Sequence, residues 1–156
     1  MTLRSTPNRI AALAATIACL CAAALQRPPS ALARSMPVDI KGSARVVPSN
    51  GTALNQVGTF SGRPLGQGTL KLRTRIGQGK GAAFTFSMTT RRGSVSGSGT
   101  IALKLGKKRV SYHGTADITS GTGAFRNYRA RNLRVTGSGG LTAESYPIRL
   151  TGSLTT

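Results

Sequence analysis

Apolar and polar side chains alternate with a period of two along most of this chain, and this pattern restricts the folds that it can adopt. Residues 70–76 and 110–118 show it clearly, because every second residue is apolar or small and most of the others are polar or cationic. Successive side chains of a strand point to opposite faces, so the pattern predicts half-buried β-strands. About eight such segments occur from residue 44 onwards, and no segment has a convincing helical period.

Turn-forming dipeptides separate these predicted strands. They are Asn50-Gly51, Arg92-Gly93, Gly106-Lys107 and Gly139-Gly140. Short strands joined by such tight turns pair antiparallel. The sequence therefore predicts an all-β protein, a small antiparallel β-barrel of about eight strands. Gly-Thr pairs also recur, but at irregular intervals, so a β-helix, which needs a steadier repeat, stays a minor alternative.

Several strands carry glycine on the same face as their apolar residues. These inward glycines are Gly66, Gly68, Gly97, Gly99, Gly114, Gly137 and Gly152. Glycine gives up packing area and weakens a strand, so its repeated use on the inner face needs a reason. One interpretation is that glycine lets the sheet bend sharply and approach itself as a small barrel closes. The other is that glycine leaves an interior void, since an eight-stranded barrel is just wide enough for one small ligand.

The first 33 residues have the composition of an export signal. Arg4 and Arg9 precede a weakly apolar run over residues 10–25, and residues 31–33 have the small-x-small pattern that signal peptidase cleaves. We therefore predict a cleaved signal peptide, residues 1–33, and one domain, residues 34–156, that is secreted or extracytoplasmic. The apolar run is shorter than the roughly 20 residues that span a bilayer, which disfavours a permanent anchor. Cys19 and Cys21 lie inside the run, which disfavours a lipid-modified cysteine.

Cleavage would leave a strongly basic domain without cysteine. Residues 34–156 keep 19 of the 22 Lys and Arg side chains against Asp39, Asp117 and Glu144, which gives a net charge of +16. This charge predicts attraction to polyanions, which outside the cell are wall polymers, anionic lipid headgroups or released nucleic acid. Aromatic residues are few, so recognition of nucleic acid by base stacking is not expected.

The acidic and histidine side chains do not form a catalytic or metal-binding pattern. His113 and Asp117 share the outward parity of one predicted strand, four residues apart, which is too far for a direct hydrogen bond. One histidine with scattered carboxylates is insufficient for a metal site. Gly121-Thr122-Gly123 lacks the Lys-Ser/Thr and the helix that follow a phosphate-binding loop. We predict no catalytic residue, no metal and no cofactor.

Residues 118–126, Ile-Thr-Ser-Gly-Thr-Gly-Ala-Phe-Arg, carry a resemblance to a known group. This strand, Gly-Thr-Gly turn, aromatic residue and arginine resemble the allene oxide cyclase and dirigent-like β-barrel families, and more closely exported bacterial proteins of unknown role with the same barrel. The resemblance extends loosely over residues 57–154, and it implies an antiparallel barrel with a central pocket. The chain departs from the pattern at Tyr128 and Ala130, which replace a small residue and a glycine. The polar pocket groups of the family enzymes have no match here.

The favoured function is a non-catalytic binding module for a small hydrophobic molecule. Its pocket would be lined by inward residues of several strands: Phe60, Leu72, Phe84, Phe86, Ile101, Tyr112, Leu133 and Leu150. An alternative is a basic surface protein that adheres to anionic cell-envelope polymers. Its contacts would come from the densest cationic group: Arg126, Arg129, Arg131 and Arg134. A weaker alternative, by resemblance, is a cyclase or isomerase that acts in the pocket.

Overall fold

A computed structural model of the chain describes residues 34–48, 53–77, 81–140 and 142–156. The predicted signal peptide, residues 1–33, lies outside the described residues. These ranges contain eight strands, β1 (Ser35–Val47), β2 (Ala53–Arg63), β3 (Gly66–Ile76), β4 (Gly81–Thr90), β5 (Gly93–Leu105), β6 (Arg109–Gly121), β7 (Ala130–Gly140) and β8 (Tyr146–Thr155). A short 3₁₀ helix, Gly123–Phe125, lies between β6 and β7. No helix in the described residues is long and apolar enough to cross a membrane.

The eight strands form one closed barrel in chain order. Each strand pairs antiparallel with the next, and β1 pairs antiparallel with β8 to close the sheet. Asp39 and Arg149 form an ion pair on the outside of this closing seam, with the two side chains 3.0 Å apart. The all-β fold class and the eight-stranded antiparallel barrel predicted from the alternation are confirmed.

The first strand begins at Ser35, whereas the alternation predicted a strand only from about Ala44. Val38 and Ile40 have the same parity as Ala44, and all three side chains are buried. Pro37 interrupts the strand pattern in the sequence, because proline is rare inside sheets. It is tolerated here because Pro37 pairs only with Ser153 of β8, beyond the point where the pairing of β1 with β2 ends at Asp39.

Inward glycines lie opposite large side chains on the neighbouring strand. Phe86 pairs with Gly97 and Phe84 with Gly99 across β4 and β5, and the Phe ring covers the glycine in both pairs. A Cβ atom added to Gly97 would lie 2.8 Å from Cζ of Phe86, and one added to Gly99 would lie 2.7 Å from Cζ of Phe84. The glycines therefore serve close packing and curvature, as the first interpretation proposed. Gly66 differs from the inward position predicted for it, because it is exposed at the start of β3, where its φ is +88°.

One end of the barrel is closed by turns that insert side chains into the core. Leu65 of the β2–β3 turn and Phe125 of the 3₁₀ helix are buried there. The guanidinium of Arg92 covers the Phe125 ring at 5.7 Å, and the Tyr128 ring packs on it with centroids 5.1 Å apart. Tyr128, where the chain departs from the resembled families, thus reinforces this closed end. The other end, where β1, β3, β5 and β7 finish, is called the open end, because no side chain of the described residues plugs it.

Candidate functional site: an apolar cavity at the open end

A cavity of about 210 Å³ lies inside the open half of the barrel. Its wall consists mainly of aliphatic and aromatic side chains from all eight strands. Leu70, Met88 and Leu150 form its buried part, while Val46 and Ile76 stand at the mouth. Among the residues that the structure describes, no Lys, Arg, Asp, Glu or His side chain lines it. Such a site takes up an apolar group and offers no partner to a buried ion.

Six of the eight pocket residues proposed from the sequence line this cavity. They are Leu72, Phe84, Phe86, Ile101, Tyr112 and Leu150. Phe60 and Leu133 do not line it, although both are buried. They belong to the packed half of the core, where the Phe60 ring covers Gly68 and the Leu133 side chain contacts Gly152. Parity identifies the inner face of a strand, but it does not distinguish the solid half of a barrel from the hollow half.

Tyr112 is the polar group most firmly held in the cavity wall. Its hydroxyl donates a hydrogen bond to the backbone carbonyl oxygen of Pro147 on β8. Its ring covers Gly137, the residue opposite it on β7. Burial, with a smaller contribution from Tyr146, raises the pKa of Tyr112 to about 12. Tyr112 therefore stays neutral at physiological pH and ties β6 to β8 across β7.

Besides Tyr112, the polar side chains that line the cavity are Gln56, Thr74 and Tyr146, and the first two lie on neighbouring strands. Gln56 on β2 pairs in register with Leu72, two residues from Thr74 on β3. Gln56 and Thr74 are therefore diagonal neighbours, and strand geometry places their Cα atoms roughly 7–8 Å apart. Neither the Gln56 amide nor the Thr74 hydroxyl bonds to another described residue. This pair can donate to or accept from one polar group of a molecule that is otherwise apolar.

The sequence analysis missed the residues that form the mouth and upper wall. Val46 and Gln56 line the cavity from strands that the sequence predicted, but they were not proposed as pocket residues, whereas Leu54 and Tyr146 lie at strand ends that the alternation did not resolve. The pairing register of the strands identifies them as inward residues. Val46 pairs with Gln56 across β1 and β2, and Tyr146 has the same parity as Ile148 and Leu150.

His113 and Asp117, which the sequence analysis considered as candidate catalytic groups, do not line the cavity. His113 is exposed on the outer face of β6. Oδ1 of Asp117 accepts a hydrogen bond of 2.7 Å from the backbone N–H of Asn132, which has a φ of +55°. Asp117 thus stabilises a bulge between β6 and β7, where the register shifts. Among the described residues, no three His, Cys, Asp or Glu side chains lie close enough together to hold a metal ion.

The four arginines proposed as a polyanion contact are all exposed. Arg126 and Arg129 lie in the segment that follows the 3₁₀ helix, and Arg131 and Arg134 lie on β7. One guanidinium nitrogen of Arg129 donates to the backbone carbonyl oxygens of Arg126 and Tyr128. Arg126, Arg129 and Arg131 are therefore at the closed end of the barrel, opposite to the mouth of the cavity. Arg134 lies near the middle of β7, next to Val135 of the cavity wall.

No protein-family model matches the chain. No curated protein matches it either. Among solved structures, it is similar to a pyocyanin demethylase, with 13% sequence identity over 75% of this chain and 98% of that chain. The TM-score is 0.36, and this similarity carries no argument about activity or ligand.

Proposed function

We propose that this protein is a binding module that holds a small, neutral, hydrophobic molecule inside the open half of its barrel. The observation that carries the proposal is the uncharged apolar cavity of about 210 Å³, which opens at one end of an otherwise packed barrel. Apolar enclosure supplies affinity for apolar surface in proportion to the area removed from water. The free amide of Gln56 and hydroxyl of Thr74 would orient a ligand that carries one hydrogen-bonding group.

A pair of dyes that share one ring system tests this proposal. N-phenyl-1-naphthylamine is neutral, whereas 1-anilinonaphthalene-8-sulfonate carries a sulfonate on the same skeleton. We expect saturable fluorescence enhancement with the neutral dye. The sulfonate should not displace it, even though the protein is strongly basic, because no cation lines the cavity to pair with a buried sulfonate.

A matched pair of substitutions locates the bound dye. Ala82 lines the cavity and is buried, while Ala83 is exposed on the outer face of the same strand. Ala82→Leu places three extra carbon atoms in the cavity, and we expect it to weaken binding of the neutral dye at least tenfold. Ala83→Leu should leave binding unchanged. Equal affinity of the two variants would contradict the proposal.

Adhesion to an anionic envelope polymer is the second candidate function. It is favoured by the exposure of all four arginines of the proposed contact: Arg126, Arg129, Arg131 and Arg134. Replacing them with Gln should lower both the affinity for a soluble polyanion such as heparin and its dependence on salt, because fewer counterions are released. Heparin binding that persists unchanged at high salt would count against this function.

Export remains a proposal that rests on residues 1–33. We expect the secreted form to begin at Arg34, which an intact-mass measurement on the exported material would establish. A species that keeps Met1, or that is acylated at Cys19, would contradict this.

Cyclase or isomerase chemistry rests on the resemblance of residues 118–126 to the allene oxide cyclase and dirigent-like families. In the barrel, this segment leads into the closed end, where Phe125 is buried, and none of its residues lines the cavity. The resemblance therefore supports a shared barrel rather than a shared reaction. We keep enzymatic activity only as the weaker alternative.

A further inference from the structure

The exposed large hydrophobic side chains of the described residues are gathered at one end of the barrel. They are Val46, Leu54, Ile76 and Leu105, with 38–73% of each residue exposed. All four lie at the open end, on β1, β2, β3 and β5. The first three also line the mouth of the cavity. Soluble proteins rarely expose apolar side chains in one continuous patch unless the patch has a partner. These four residues are called the apolar rim.

Cations surround the apolar rim. Arg45 and Arg75 lie next to Val46 and Ile76 in the sequence. The basic side chains that the structure describes at this end are exposed: Arg45, Arg75, Lys104, Lys107, Lys108 and Arg109. Within the described residues, Glu144 is the acidic side chain at the same end. Arg109 donates to the Ser138 hydroxyl, and the other five cations have no partner among the described residues.

We propose that the open end of the barrel docks on an anionic lipid bilayer, with the apolar rim inserted among the acyl chains and the surrounding cations on the headgroups. A bilayer surface combines the two properties that the rim requires, an apolar interior and negative charge at its boundary. A second copy of this chain does not fit, because two open ends placed face to face would bring two sets of cations together. Docking would also place the mouth of the cavity against the source of an apolar ligand.

This inference goes beyond the proposed ligand binding and does not depend on it. The dye experiment contains no lipid and measures the cavity alone. The experiments below measure docking on vesicles. Either can therefore fail while the other succeeds.

A single-tryptophan reporter tests insertion of the apolar rim. The chain has no Trp, so Leu105→Trp creates one probe on the rim, and Ala124→Trp creates a matched probe at the exposed surface of the closed end. We expect 7:3 phosphatidylcholine:phosphatidylglycerol vesicles to shift the Leu105→Trp emission to shorter wavelength, and lipids brominated in the acyl chains to quench it. The Ala124→Trp emission should not change. The same response from both probes, or from neither, would overturn the proposal.

Charge substitutions test the orientation. Each Lys or Arg near an anionic surface is worth roughly a fivefold change in partitioning. Replacing Lys104, Lys107 and Lys108 together with Gln should therefore lower binding in vesicle co-sedimentation about 100-fold at 0.1 M salt. The control removes the same charge at the opposite end: Arg126, Arg129 and Arg131, all replaced with Gln.

The closed-end variant should bind the vesicles almost as well as the unaltered protein, because its substituted side chains lie far from the docked end. A strand of ten residues is roughly 33 Å long, whereas the Debye length is about 10 Å at 0.1 M salt. If the closed-end variant lost binding and the lysine variant kept it, the proposed orientation would be wrong. If the protein dimerised through Leu105 and ignored the vesicles, the rim would be a protein interface and the proposal would fail.

Discussion

Two adjacent residues of β4 allow a sharp test of the barrel core. Phe86 is 4% exposed, covers Gly97 on β5 and lies 6.2 Å from the Phe84 ring, centroid to centroid. Truncation of a buried Phe to Ala costs about 3–5 kcal/mol, and an unpaired buried carboxylate adds several more. A domain of this size has about 5–15 kcal/mol of stability in total. We therefore expect Phe86→Asp to be unfolded.

Thr85→Asp should behave in the opposite way. Thr85 is exposed on the outer face and pairs in register with Arg73 of β3. An aspartate there would face a guanidinium, and such a cross-strand pair contributes roughly 0.2–1 kcal/mol. We expect Thr85→Asp to be as stable as the unaltered protein or slightly more stable.

Urea unfolding followed by far-ultraviolet circular dichroism measures the difference. Because Phe86→Asp is expected not to fold, Phe86→Ala supplies a measurable value, with an expected loss of about 3–5 kcal/mol. Thr85→Ala is its control on the outer face. If the two alanine variants unfolded at the same urea concentration, our assignment of the inner and outer faces of β4 would be wrong.

Three further predictions follow from the packing and the titrations. Gly99→Ala should cost roughly 1–3 kcal/mol in urea unfolding, because its methyl group would overlap the backbone oxygen of Thr115 and lie only 2.7 Å from Cζ of Phe84. Gly81→Ala, with its nearest atom 3.9 Å away, should cost nothing. The pKa of Tyr112 is raised to about 12, so the contribution of the buried neutral hydroxyl to stability should disappear as the pH rises from 10 to 12. Tyr112→Phe should remove the ionisation near pH 12 from the tyrosinate absorbance titration. Hydrogen bonds from Arg149 lower the pKa of Asp39 below its usual 3.8, so the ion pair should stabilise the fold above about pH 4, and this stabilisation should be lost as the pH falls further. Asp39→Asn should therefore make the melting temperature less dependent on pH below about pH 4.

The fold class was accessible from the sequence because strands leave a strong local signal. A strand that is buried on one face must alternate apolar and polar residues, as residues 70–76 do, and tight turns must contain residues such as glycine. The inner face of each predicted strand could be assigned from the same signal. The first half of β1 was not predicted, because Pro37 interrupts the pattern. Proline is tolerated at this position only because the pairing with β2 has already ended, which the sequence does not show.

The position of the cavity was decided only by the tertiary structure. Phe60 and Phe84 have the same local signature, an inward aromatic side chain opposite a glycine on the next strand. One lies in the packed half of the core and the other lines the cavity, because Leu65 and Phe125 plug only one end of the barrel. Both plugging residues come from turns, where alternation gives no information about burial. The gathering of Val46, Leu54, Ile76 and Leu105 at the open end likewise depends on the order and register of the closed sheet, which bring together strand ends that are distant in sequence.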